Sequence, residues 1–250
     1  MILFGMENIL TFGRGNAKLG KEIATFSIPS GFTCPSASAC LSKANRETGK
    51  ITDGAETEFR CFSASQEAIL PSVRASRWKN FEALKVHGSN VAALADFIAA
   101  NLPKQNIIRV HVAGDFYSQA YFDAWLKVAT NNPSKTFYAY TKSLPFWVAR
   151  LDTIPRNVKM NASRGGKHDA LIDAHNLKSV EVVFTESEAA AKGLAIDHDD
   201  TLAFTQDDSF ALLLHGTQPA GSVASKALSV LKKQGKGGYS AKSKKEVLSR

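Results

Sequence analysis

From residue 89 onward the apolar positions switch repeatedly between helical spacing and alternation, which predicts helices interleaved with strands. Ser89 and Asn90 can cap a helix carrying Val91, Leu94, Ile98 and Leu102, and Pro103 ends it. A β-branched run from Ile107 to Val112 stops at Gly114, and a helix from about Tyr117 to Thr130 follows, with Tyr121, Phe122, Trp125 and Val128 on one side. Further strands are predicted at Lys135 to Thr141, Asn157 to Ala162, Val180 to Thr185, Thr201 to Thr205 and Phe210 to His215. Short helices are expected near Pro145 to Leu151 and Ser187 to Lys192, and Ser222 can cap a last one bearing Val223, Ala227, Leu228 and Leu231. Upstream, Ile23 to Ile28 reads as a first strand, and the segment after Cys61 reads as mainly helical.

This alternation predicts an α/β fold with a mostly parallel sheet, and about seven strands in one domain suggest a TIM-like (β/α) barrel, complete or irregular. A doubly wound open sheet is the alternative. The barrel is favoured by the polar residues that end successive strands: Gly114-Asp115, Tyr140-Thr141-Lys142, Asn161 to Arg164, Thr185-Glu186, Thr205-Gln206 and His215-Gly216. Such ends would ring one mouth.

The three cysteines, Cys34, Cys40 and Cys61, all fall in a polar stretch and are spaced C-x5-C-x20-C. An odd number cannot pair fully within one chain, and the window does not resemble a core where thiols serve as small apolar groups. Three thiolates suit an iron-sulfur cluster, [4Fe-4S] with one iron left without a protein thiolate or [3Fe-4S]. Structural zinc normally takes four ligands in tighter pairs, although three Cys and one His would serve. A Cys34–Cys40 disulfide with Cys61 free is the plain alternative. The loop that carries these residues, 34–61, follows the first predicted strand and would open onto the mouth.

With 250 residues, 44% of them hydrophobic, the chain can bury one sizeable core, expected over 1–235. No stretch has the length of a membrane span, and the start lacks the pattern of a secretory signal, so a reducing cytoplasmic setting and no membrane partner are expected. The net charge of +8 is concentrated at one end: from Lys226 to Arg250, eight basic residues face Glu246 alone, which leaves +1 for the rest. The segment 236–250 reads as a basic tail, suited to weak nucleic-acid contact or to solvation.

Among the strand ends, Asp115 can bind a polar ligand or cap the next helix. Tyr138, Tyr140 and Lys142 alternate toward one side; Tyr140 can donate a hydrogen bond, and Lys142 can neutralise an anion. Asn161 and Arg164, before Gly165-Gly166, offer an amide and a planar cationic fork. Alternation places Arg109, His111 and Ala113 on one face, where His111 is either a core residue or a functional one. His168-Asp169 and His198-Asp199-Asp200 lack the helical spacing of a metal hydrolase, and Gly13-Arg14-Gly15-Asn16 lacks the frame of a phosphate loop.

The chain resembles the phage gene product 88 family in Gly15 to Gly20, in the loop from Cys34 to Leu41, in Ile108 to Asp115 and in Phe137-Tyr138-Ala139-Tyr140-Thr141-Lys142. The resemblance implies phage origin, a host-cell setting and a cluster on Cys34, Cys40 and Cys61, without an established reaction. More broadly, a barrel with a three-Cys cluster is similar to radical S-adenosylmethionine enzymes, whose usual C-x3-C-x2-C motif differs from the spacing here. The functional expectation is a radical or redox enzyme acting on a small molecule, with S-adenosylmethionine as a candidate ligand. The alternative is a non-catalytic redox sensor that binds a host protein or nucleic acid.

Overall fold

The computed structural model describes residues 9–15 and 19–236, so the basic tail beyond Lys236 and residues 16–18 of the Gly15 to Gly20 segment lie outside the described residues. Eight strands form the main sheet: β1 (Gly13–Arg14), β2 (Ile23–Ser27), β5 (Ile107–Ala113), β6 (Thr136–Thr141), β7 (Val158–Ser163), β8 (Ser179–Val183), β9 (Ala195–Ile196) and β10 (Phe210–Leu213). The remaining two, β3 (Ser42–Ala44) and β4 (Ile51–Asp53), make a separate antiparallel hairpin.

The main sheet runs β1-β2-β5-β6-β7-β8-β10-β9, with every pairing parallel except the antiparallel edge strand β1. From β2 to β8 each new strand is added on the same side of the last, without the central reversal of strand order that marks a doubly wound sheet. Among the described residues the sheet does not close into a complete barrel: β1 and β9 are its two edges and do not pair with each other. Reversal occurs only at β9, which reaches the sheet beyond β10.

The helices explain both faces. On one side, the largest apolar cluster joins Phe26, Ile108, Val110, Phe137, Ala139 and Met160 of the strands to α3 (Val91–Ala100) and α4 (Gln119–Thr130) through Leu94, Ile98, Phe122 and Trp125. Asn90 and Ser118 cap these two helices by accepting from the amides of Ala93 and Tyr121. On the other side, Ile23, Tyr138, Val180 and Phe210 meet Ala203 of α8 (Thr201–Thr205). Farther along that side, Val182, Phe184 and Leu214 pack on Ala224, Leu228 and Leu231 of α9 (Val223–Lys233). Helices thus cover a face that a closed barrel would fill with strand side chains alone.

Two local expectations are overturned. Thr201 to Thr205 is helix α8 and not a strand, so Thr205-Gln206 is not a strand end. A five-residue apolar run is too short for periodicity to decide its type. Here Asp200, in the left-handed region at φ 68°, starts the turn, while its buried carboxylate is held by Arg109 and Tyr138.

The second concerns β5. Thr25 pairs with Arg109, but Ser27 pairs with Ala113, so β5 carries extra residues in a bulge where His111 sits at φ 71°. Arg109 remains on the α8 side, over the Tyr140 ring at 4.7 Å. His111 instead turns into the α4 cluster, packing against Phe26 and Phe116 and placing Nε2 3.0 Å from the Tyr121 hydroxyl. Burial, then the Arg109 charge, lowers its pKa to about 3 and keeps the ring neutral.

Candidate metal centre

The C-terminal end of β2 leads directly into the cysteine loop. Thr33 donates its hydroxyl to the Pro29 carbonyl at 2.7 Å, and Gly31, at φ 71°, points its amide at the Cys34 thiol, 3.3 Å away. From Cys34 to Cys40 the chain lies against the exit of β7. The Ala39 amide donates to the Gly165 carbonyl at 3.0 Å, and the Lys167 amide to the Ser36 carbonyl at 2.9 Å. A Cβ on Gly165, at φ 85°, would stand 3.0 Å from that of Ala39, so the Gly165-Gly166 pair serves close backbone approach.

The return to Cys61 is braced twice. Arg60 pairs with Asp53 of β4, and its backbone amide and carbonyl bond both ends of the Gln218 side chain, at 2.8 and 3.1 Å. Cys61 then occupies the N-cap of α1 (Phe62–Ile69). The amides of Ser63 and Ala64 favour its thiolate electrostatically without completing a cap hydrogen bond.

Fully buried Glu67 ties α1 to the Cys34 turn: its Oε1 accepts from the Ser30 amide and hydroxyl, both at 2.9 Å, and from Arg77 at 2.8 Å. Arg77 belongs to α2 (Pro71–Lys85) and also donates to the Ser63 carbonyl at 2.9 Å.

These braces gather the three cysteines. All are half-buried free thiols, and each pair is close enough for one thiolate to disfavour the other. Burial dominates the upward shift of every one. For Cys34 the next influences are Asp115 and Cys61; for Cys40, pushed up to about 11, Lys142 works in the opposite direction. Among the described residues, no three His, Cys, Asp or Glu side chains converge on a point where one ion would sit. A cubane cluster takes each thiolate on a different iron, so its ligands stand farther apart than those of a single ion.

Asp115 and Lys142 close the group from the sheet side. The buried Asp115 carboxylate accepts from the Thr141 hydroxyl at 2.6 Å, the Phe116 amide at 2.7 Å and the Lys142 amide at 2.8 Å. Burial outweighs these bonds and raises its pKa to about 6. Lys142 is also buried, its ammonium donating to the carbonyl and hydroxyl of Ser163, each at 3.0 Å, and to the Arg164 carbonyl.

The other sequence candidates stand apart. Tyr140 and Asn161 are register partners on β6 and β7. Asn161 donates to the carbonyls of Ala139 and Ala203, while its Oδ1 and the Tyr140 hydroxyl are buried without hydrogen-bond partners. Arg164 turns to Asp173 at 2.9 Å on α6 (Ala170–Ala174), and Asp169 accepts from the Gly165 and Gly166 amides. Sequence reasoning missed the Ser30–Glu67–Arg77 brace, which no local pattern signals.

A family profile described as Gene product 88 matches residues 10–235. The chain belongs to the gene product 88 family. The Gene 88 protein of Mycobacterium phage L5 is 30% identical over 141 residues, covering 51% of each chain. The chain thus spans about half the length of that curated relative. No solved structure matches. The family match covers all three cysteines together with Asp115 and Lys142 and agrees with the phage resemblance. Among the described residues, no helix is long and apolar enough to cross a membrane.

Proposed function

We propose that this gene product 88 protein holds an iron-sulfur cluster on Cys34, Cys40 and Cys61 and acts as a radical or redox enzyme on a small molecule in the host cytoplasm. The observation that supports it is the gathering of three thiols from one loop at the C-terminal ends of parallel strands. That end is where β/α folds place chemistry. Soft thiolates suit iron-sulfur clusters as well as zinc, and the C-x5-C-x20-C spacing departs from the tight cysteine pairs of structural zinc sites.

A [4Fe-4S] cluster would supply one-electron chemistry and leave one iron without a protein thiolate; a [3Fe-4S] form would use the same three ligands. Lys142 would offset the negative charge of the Cys40 thiolate, and Ser163 and the Arg164 carbonyl hold its ammonium in place. Asp115 would fix the β5 and β6 ends around the group through Thr141 and the Lys142 amide. S-adenosylmethionine fits the same reading, because its amino and carboxylate groups can chelate an iron that lacks a thiolate.

Anaerobic purification followed by iron, sulfide and zinc analysis tests the proposal. A coloured protein with iron and acid-labile sulfide in similar amounts supports it. A colourless protein that keeps stoichiometric zinc and takes up no iron after reconstitution overturns it. An electron paramagnetic resonance spectrum of the reduced cluster that changes on adding S-adenosylmethionine supports the radical branch; an unchanged one leaves the redox branch.

A further inference from the structure

Beside the cysteine loop lies a line of aromatic rings, each with a cation over it. Phe32, 43% exposed, meets Trp78 of α2 edge-on with centroids 5.1 Å apart, and Trp78 meets Phe81 at 6.0 Å. The Lys43 ammonium stands 5.3 Å from the Phe32 centroid, the Arg46 guanidinium carbon 4.7 Å from that of Trp78, and the Lys85 ammonium 5.5 Å from that of Phe81. Glu82 answers two of these cations, at 3.0 Å from Arg46 and 3.7 Å from Lys85. Lys43, Arg46 and Lys85 are all exposed.

We propose that this rim, centred on Phe32 with Lys43 and Arg46, binds single-stranded nucleic acid, with a base stacked on Phe32 and phosphates on the two cations. Single strands are held by aromatic stacking platforms interleaved with basic side chains, a combination that tolerates any sequence. An apolar protein surface would cover the rings but desolvate the Lys43 ammonium and leave Glu82 alone to offset both Arg46 and Lys85. A polyanion that carries flat bases serves both groups at once. The seat borders the candidate centre, since Phe32 follows the glycine whose amide faces the Cys34 thiol. It does not depend on the cluster, so cysteine-reduced apoprotein and reconstituted protein should both bind.

Fluorescence anisotropy of a labelled oligothymidylate with the full chain, titrated across salt concentrations, tests this. Phe32→Ala removes an exposed ring and should weaken binding roughly 10-fold. Lys43→Ala should lower the slope of log affinity against log salt by about 0.7. Exposed Val223 on α9 gives a control, Val223→Ala, with unchanged affinity. A chain ending at Lys236 should bind more weakly yet keep the Phe32 dependence. The proposal is overturned by absence of binding at low salt, by equal affinity of wild type and Phe32→Ala, by loss of all binding with the tail, or by duplex competing as well as single strand. A wild type that fails here while holding iron would leave the cluster proposal standing.

Discussion

Removing Glu67 should loosen both the fold and the cysteine site. The carboxylate is completely buried, and its Oε1 receives three donors: the Ser30 amide, the Ser30 hydroxyl and the Arg77 guanidinium. In Glu67→Ala, Arg77 would keep the Ser63 carbonyl and Gln66 but would stay buried with no opposing charge. Breaking a buried pair from one side costs about 3–5 kcal/mol. At about 2–4 °C per kcal/mol for a chain of this size, the melting temperature should drop by roughly 6–20 °C. Glu67→Gln keeps an acceptor for Ser30 and should lose less. The double variant Glu67→Leu with Arg77→Met removes both charges and should recover part of the loss, because well-packed apolar groups can replace a buried pair. Thermal and urea unfolding of the four metal-free proteins measures these differences. If Glu67→Ala melts within about 2 °C of wild type, or the double variant is less stable than Glu67→Ala, the brace does not hold α1 to the Ser30 turn in the way described.

Gly165→Ala should destabilise by about 1–3 kcal/mol in urea unfolding, because the new methyl meets Ala39 at 3.0 Å with the backbone at φ 85°; unchanged stability would refute the close approach. Asp115 gives a pH signature in the metal-free protein. Its folded pKa, about 6, lies above its usual 3.8, so its favourable contribution is complete below about pH 4 and is lost as pH rises through 6. The loss amounts to roughly 3 kcal/mol, and Asp115→Asn should flatten that part of the stability profile; an equal slope in both proteins would contradict the assignment.

The parallel α/β character was legible because long segments carry one clear period. β6 alternates through Phe137, Tyr138, Ala139 and Tyr140, and α4 repeats Tyr121, Phe122, Trp125 and Val128 on one face. Closure was not legible, since pairing between the outer strands is a long-range property that neither edge segment encodes. The bulge at His111 escaped for a different reason: alternation assumes uniform pairing, and one residue at positive φ moves the side chain to the opposite face. At the candidate site, the cysteines were visible as the chain's only thiols, and Asp115 and Lys142 as polar ends of apolar strands. Arg164 carried the same signal yet turned to Asp173, because strand-end position does not fix the direction of a long side chain. Nothing in the sequence around Glu67 marks it out; only the meeting of α1 with the Ser30 turn gives it a buried role.

The central claim is that Cys34, Cys40 and Cys61 together hold an iron-sulfur cluster. Iron and acid-labile sulfide per chain, measured after anaerobic reconstitution of wild type and of Cys34→Ala, Cys40→Ala and Cys61→Ala, with folding checked by circular dichroism, test it most directly. The account predicts a stably loaded wild type and a folded but cluster-depleted protein for each substitution. Full iron and sulfide content in any one of the three folded variants would contradict it.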